Sequence, residues 1–337
     1  MSDFQRDLLV WFIKSAVIFG GLLGAAAYMT LAERKVSAWM QFRIGPNRTG
    51  PLGLLQPIAD GMKFVFKEES IPAGANRAMF RFAPIVASLP AMLTVAVIPF
   101  GGKVEMFGVT TNLSIADLDI GVLYLLAIAS MAVYGVILGG WTSNSKYSLL
   151  GGLRASAQMI SYELTLILTI LAVIALSGSL SLRKIAESQP TIGTWHVWTQ
   201  PIGFFLFVVA SFAETNRHPF DFAECEPELV GGYNTEYSSM KWALFFLGEY
   251  SAMVVMASLT TTLFLGGASV PFWPDAPWYV GFVAFMAKTS IFLFLFLWVR
   301  WTLPRFRFDQ LMRLGWKVAL PLALLNLVLT GTWVSLR

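Results

Sequence analysis

Cysteine is nearly absent: Cys225 stands alone among 337 residues, so this chain cannot supply four thiolates for an iron–sulfur cluster or a structural zinc site. Histidine is almost as scarce, with only His196 and His218. Neither G-x-x-x-x-G-K-[ST] nor G-x-G-x-x-G occurs, so nucleotide binding has no support. Charge is sparse as well, at 13% of residues against about 25% in soluble domains. An ordinary soluble globular domain is excluded. If the chain serves redox chemistry, the electrons arrive on another subunit.

What is present is apolar. Hydrophobic residues make up 56% and the mean hydropathy is +0.64. Crossing the hydrocarbon as a helix takes roughly 20 such residues, and only helices or closed barrels satisfy their backbone there. The apolar runs are long and continuous where barrel strands are short and alternating, so the expected fold is all-α, a polytopic membrane bundle of about eight helices. Expected spans run at about 9–32, 77–99, 118–139, 156–177, 197–213, 241–266, 278–299 and 315–334, the fifth being short. The first resembles a secretory signal, since Gly24, Ala25, Ala26 and Ala27 follow an apolar run, but the run continues to Ala32 and Lys14 interrupts it. It reads as a retained helix. With no long linker, repeat or low-complexity tract, residues 1–337 form one membrane domain.

Basic residues set the orientation. The loops after helices one, three, five and seven hold 17 of the 24 lysines and arginines, so the positive-inside rule puts both termini outside and these loops in the cytoplasm. This one-sided excess accounts for the net +4 and the pI near 9.2, and no nucleic acid is implied. His196 and His218 fall on opposite faces, which excludes a di-haem cytochrome.

Two cytoplasmic loops carry chemistry. In the first, turn residues from Gly45 to Pro51 precede Leu55, Ile58, Met62 and Val65 at helical spacing, an amphipathic helix at about 53–68 that is too short to span. It is either a surface anchor or a lip that guides a lipid-soluble substrate out of the bilayer. The second, "ETNRHPFDFAECEPELVGGYNTEY", gathers Glu214, Asp221, Glu224, Glu226, Glu228 and Glu236 against one arginine. Pro219, Pro227 and the Gly231–Gly232 pair disfavour a regular helix, and irregular backbone near membrane depth must be covered by protein or line a hydrated cavity. Burial and like charge both raise carboxyl pKa values, so some of these acids hold protons near neutral pH. Such a cluster takes up or releases protons when a nearby charge changes. The plainer reading is a solvated acidic loop that docks a basic partner.

Three charges fall inside spans: Glu163, Glu249 and Lys288, at expected depths of about 10, 12 and 16 Å from the cytoplasmic side at 1.5 Å per residue. An ionisable residue within a span is functional by default and usually paired. Glu163 has no cation nearby in sequence and reads as a proton relay. Glu249 and Lys288 read either as proton-coupling groups or as a static ion pair that fixes helix packing.

The segments "ERKVSAWMQFRIGPNRTGPLGLLQPIADGMK", "ETNRHPFDFAECEPELVGGYNTEY" and "LFLWVRWTLPRFRFDQLMRLGWKVALP" resemble the three hallmark loops of the H-type subunits of NADH:quinone oxidoreductase, respiratory complex I. The likeness runs from about Leu31 to Pro321. It implies a subunit at the joint of the membrane and hydrophilic arms that shapes a quinone chamber and starts a proton-coupling route, within a translocase of the respiratory chain. By resemblance, Glu33, Arg34, Arg43, Asp60 and Arg217 match positions around the quinone tunnel. Glu163, Glu214, Asp221, Glu224, Glu226, Glu228 and Glu249 match the acidic route. Pro227 departs from the serine common in relatives. The resemblance further implies no cofactor on this chain, quinone as substrate, and NAD, FMN and iron–sulfur clusters on partner subunits. Its surroundings would be membrane lipid and the other complex I subunits, in a bacterial inner membrane or the mitochondrial inner membrane. Two alternatives stay open: the homologous subunit of an energy-converting hydrogenase or a ferredoxin- or plastoquinone-linked complex, and a stand-alone cation or proton transporter.

Overall fold

A computed structural model describes residues 3–222, 230–273 and 276–336. It is an all-α membrane bundle. In chain order the helices are α1 (Asp3–Met40), α2 (Gln56–Phe66), α3 (Arg77–Thr94), α4 (Gly121–Thr142), α5 (Lys146–Ser177), α6 (Leu182–Glu187), α7 (His196–Thr199), α8 (Pro201–Glu214), α9 (Ser239–Phe264), α10 (Trp278–Thr302), α11 (Phe308–Leu314) and α12 (Leu320–Ser335). A single antiparallel hairpin, β1 (Lys103–Met106) with β2 (Val109–Asn112), interrupts them among the described residues. Among the described residues seven helical stretches are long and apolar enough to cross a membrane, the last running unbroken from α11 through a π-helical stretch into α12. The eighth apolar helix, α8, has 14 residues and starts on Pro201, whose missing N–H costs nothing at a first helical position.

Several helices outrun the apolar segments that announce them. The fourth begins at Lys146 where an apolar start at 156 was expected, so Glu163 stands 17 residues, about 26 Å, from the N-terminal end of α5. The added turns carry Lys146 and Arg154, which a helix accommodates once it leaves the hydrocarbon.

Packing follows membrane rules. Lipid offers no hydrophobic drive for helices to associate, so close approach through small residues replaces it. At Gly135 of α4 a Cβ would lie 2.3 Å from the backbone nitrogen of Ala87, so only glycine lets α3 and α4 come together here. Around the central helix α9, Phe207, Ile170, Phe264 and Phe285 are wholly buried. Thr261 and Thr262 return their buried hydroxyls to their own helix, donating to the Ala257 carbonyl at 3.0 Å and the Ser258 carbonyl at 2.9 Å. These hydroxyls therefore present no unsatisfied group to the apolar interior.

Candidate functional site

The loop between α1 and α2 folds back on α1. Lys35 Nζ donates to the Leu52 carbonyl at 2.6 Å, and Gly53 adopts φ +78°, where a Cβ would sit 2.3 Å from the Pro46 oxygen. This compact turn delivers α2 beside α1 and α9. From α9's first turn, Ser239 Oγ donates to the Phe64 carbonyl at 2.9 Å, and Lys241 pairs with Glu69. Between α1, α2 and α9 lies a cavity of about 400 Å³, walled by Ala26, Arg34, Asp60, Phe64, Phe246 and Tyr250 among others. Arg34 meets Asp60 at 2.6 Å, and Gln56 donates to the same carboxylate at 3.0 Å.

Tyr250 connects this cavity to a buried charge knot. Its hydroxyl donates to Glu33 Oε2 at 2.5 Å, Arg300 Nη1 reaches Glu33 Oε1 at 2.6 Å, and Arg217 Nη1 lies 3.5 Å from Oε2. The Arg217 guanidinium also stacks 4.0 Å over the Tyr250 ring. α1, α9, α10 and the turn after α8 are thereby joined at one carboxylate. Burial works against the charge on Arg217, but Tyr250, Glu249 and Glu33 together outweigh it and raise its pKa above the ordinary value. That turn is held by Gln158, fully buried in α5, whose amide donates to the Ala213 and Phe220 carbonyls at 2.8 and 2.7 Å.

Behind Arg217 lies a second, smaller cavity of about 80 Å³. Glu214, Asn216, Tyr233 and Glu249 line it, with alanines such as Ala129 and Ala132 completing the wall. It is large enough for a few water molecules. Glu249 accepts from Tyr233 Oη at 3.2 Å, Glu214 Oε2 is buried without a hydrogen-bond partner, and Glu163 accepts from Ser130 of α4. Glu163 and Glu214 are near enough to repel when both are charged. Asp221 pairs with Arg305 at 3.1 Å, and beside them burial, then Arg305 and Arg300, lower the pKa of His218.

The structure thus brings Arg34 and Asp60 to the wall of the first cavity, Glu33 and Arg217 onto the Tyr250 side chain of that wall, and Glu214 and Glu249 around the second cavity, with Glu163 alongside. Arg43 is exposed and stands apart, its backbone N–H bonded to the Ala38 carbonyl. Glu224, Glu226 and Glu228 lie outside the described residues.

Lys288 requires a correction. It does not form the ion pair with Glu249: its ammonium donates to the carbonyls of Leu265, Gly267 and Ser269 at 2.8, 3.0 and 2.7 Å, with the Trp195 ring 4.9 Å away. Those carbonyls follow the C-terminal end of α9, and Glu249 is 15 residues, about 23 Å, back along that helix. The reason is directional: a helical side chain leans toward its helix's N-terminus, and α10 starts at the end of the bundle where α9 stops.

Tyr250, Arg300, Tyr233 and Ser130 were missing from the sequence-based candidates. Only Arg300 left a signal, as one of the basic residues after the seventh span.

A family model described as NADH dehydrogenase matches residues 13–331. A protein from Geobacter metallireducens, named as the first of its H-type subunits of NADH-quinone oxidoreductase, is 50% identical over 337 residues, covering 100% of both chains. An H-type subunit of NADH-quinone oxidoreductase from Thermomicrobium roseum is 51% identical, covering 98% of this chain and 97% of its own. A third protein of that name, from Cytophaga hutchinsonii, is 50% identical over 95% of each chain.

Proposed function

The chain belongs to the NADH dehydrogenase family, as an H-type membrane subunit of NADH-quinone oxidoreductase, and from that premise we propose that the cavity between α1, α2 and α9 admits the quinone while the acids behind Arg217 couple its reduction to proton movement. The observation that supports this reading is the position of Arg217. It touches Tyr250 on the cavity wall and feels Glu249 in the acid cavity. A charge change at a reduced quinone therefore has a short electrostatic path to groups that exchange protons.

On this reading the apolar lip α2 receives the quinone from the bilayer, Glu33, Arg34, Asp60 and Arg217 line its path, and Arg43 orients the loop leading to it. The chain moves no electrons itself. Flavin, NAD and iron–sulfur clusters reside on partner subunits, a soluble partner completes the tunnel floor, and the basic cytoplasmic loops dock it. The membrane is a bacterial inner membrane with both termini outside. An impermeant thiol reagent that labels Cys225 in sealed right-side-out vesicles lacking the partner subunits would overturn that orientation.

The acidic route comprises Glu163, Glu214, Asp221 and Glu249, with Glu224, Glu226 and Glu228 continuing it. Near full-length identity of about 50% to proteins named as quinone oxidoreductase subunits favours this reading over the hydrogenase-type and transporter alternatives. The test is Arg217→Ala in the assembled complex. Quinone reduction should fall steeply while electron transfer from NADH to a small hydrophilic acceptor stays normal. Equal loss of both activities would place the defect elsewhere.

A further inference from the structure

Ser130 of α4 faces two acceptors at once. Its Oγ lies 2.9 Å from the Leu126 carbonyl, one turn back on its own helix, and within hydrogen-bond reach of Glu163 Oε1 on the neighbouring α5. A serine hydroxyl has one hydrogen to give and two lone pairs to receive with. It serves only one of these acceptors at a time.

We propose that Ser130 is a positioning residue that lets Glu163 gain and lose a proton without leaving a polar atom stranded at membrane depth. The proposal rests on Glu163 exchanging protons. When Glu163 is ionised, the Ser130 hydrogen points at Oε1. When the carboxylate takes up a proton, its new O–H donates to Ser130 Oγ, and the serine hydrogen turns to the Leu126 carbonyl. One proton is bound, no covalent bond at serine changes, and a rotation about a single C–O bond connects the two states. The Leu126 carbonyl already accepts the helical amide four residues on, so gaining or losing the extra hydrogen costs it little.

The surroundings suit this role. Ala129, next to Ser130 in the chain, lines the small cavity shared by Glu214 and Glu249, so the switch stands beside the other acids. Ser130 and Glu163 are both only half-buried, in contrast to the wholly buried hydroxyls of Thr165 and Thr169 on the same α5. The Ser130 hydroxyl donates directly to the Glu163 carboxylate, so the charged form draws on it.

The test uses purified, fully assembled complex and redox-induced infrared difference spectra. A carboxyl C=O band that Glu163→Gln abolishes identifies the group. In Ser130→Ala that band should move to higher wavenumber, and quinone-dependent turnover per flavin should fall about tenfold, the scale of one hydrogen bond to a charged group. Ser130→Thr, which keeps the hydroxyl, should restore both. A band unmoved in Ser130→Ala overturns the proposal, whether turnover is normal or lost, while leaving proton exchange at Glu163 intact. If Glu163→Gln removes no band and pumps normally, the relay reading fails and the proposal falls with it.

Discussion

The guanidinium of Arg217 lies 4.0 Å above the ring of Tyr250, whose hydroxyl donates to the same Glu33 carboxylate that Arg217 and Arg300 approach. Two arginines and a phenol converge on one acid. Removing Glu33 would take their shared carboxylate from the buried Arg217 and the half-buried Arg300, whereas removing the phenol hydroxyl alone would leave both charge pairs in place.

Tyr250→Phe makes that minimal change. It keeps the ring under Arg217 and deletes only the donor to Glu33, a hydrogen bond to a charged group worth about 1.5–3 kcal/mol. Assembly should be normal, and quinone-dependent turnover should drop about tenfold or more. NADH oxidation by a hydrophilic acceptor, measured on the same preparation, should not change. Tyr250→Leu, which also removes the stacking surface, should be worse.

The pH response of the turn after α8 has a definite sign. Burial, Arg305 and Arg300 lower the pKa of His218 below its ordinary 6.5, so the folded turn favours the neutral ring. Protonation favours the opened turn. Above pH 6.5 His218 costs nothing, and as pH falls through 6.5 toward the lower folded value the turn loses stability. Amide hydrogen exchange at Phe220 and Phe222, corrected for intrinsic rates, should show less protection at about pH 5.5 than at about 7.5. His218→Gln should abolish most of that difference. An unchanged pH dependence in the variant would assign it to other groups.

How much of this was readable beforehand depends on whether the signal was local. Apolar runs and the period of Leu55, Ile58, Met62 and Val65 disclose helices because burial in lipid and at its surface imposes those patterns on consecutive residues. Charges inside spans, such as Glu163 and Glu249, are conspicuous because they are costly there. Tyr250 is different: it is one of nine tyrosines, and its partner Glu33 is 217 positions away. No local pattern marks such a contact. Ser130 is hidden likewise, as a small polar residue that any membrane helix tolerates. Lys288 misled because depth from one end of a helix does not say toward which end a long stem reaches.

Lys288→Met follows from that correction. Three carbonyls after α9 would lose their shared donor, each an unsatisfied group costing about 1–3 kcal/mol. The expected outcome is less assembled complex and a lower thermal midpoint, with quinone turnover per flavin largely retained. Loss of turnover in the assembled fraction would return Lys288 to the coupling route.

Glu214→Gln probes the acids most directly. Glu214 is buried with one oxygen unpartnered, it shares the small cavity with Glu249, and it repels Glu163 when both are charged. Glutamine keeps the size and most of the hydrogen bonding but cannot bind or release a proton. It also removes a buried carboxylate without stranding a cation, so folding should survive. If the acids relay protons in step with quinone reduction, turnover and pumping per flavin should fall together, and raising quinone concentration should not rescue them. A loop that serves only to dock a partner predicts weaker assembly with normal turnover and pumping in what does assemble. A third pattern, normal turnover with lost pumping, would mean that quinone chemistry proceeds without this proton and that the coupling lies between Glu214 and Glu163.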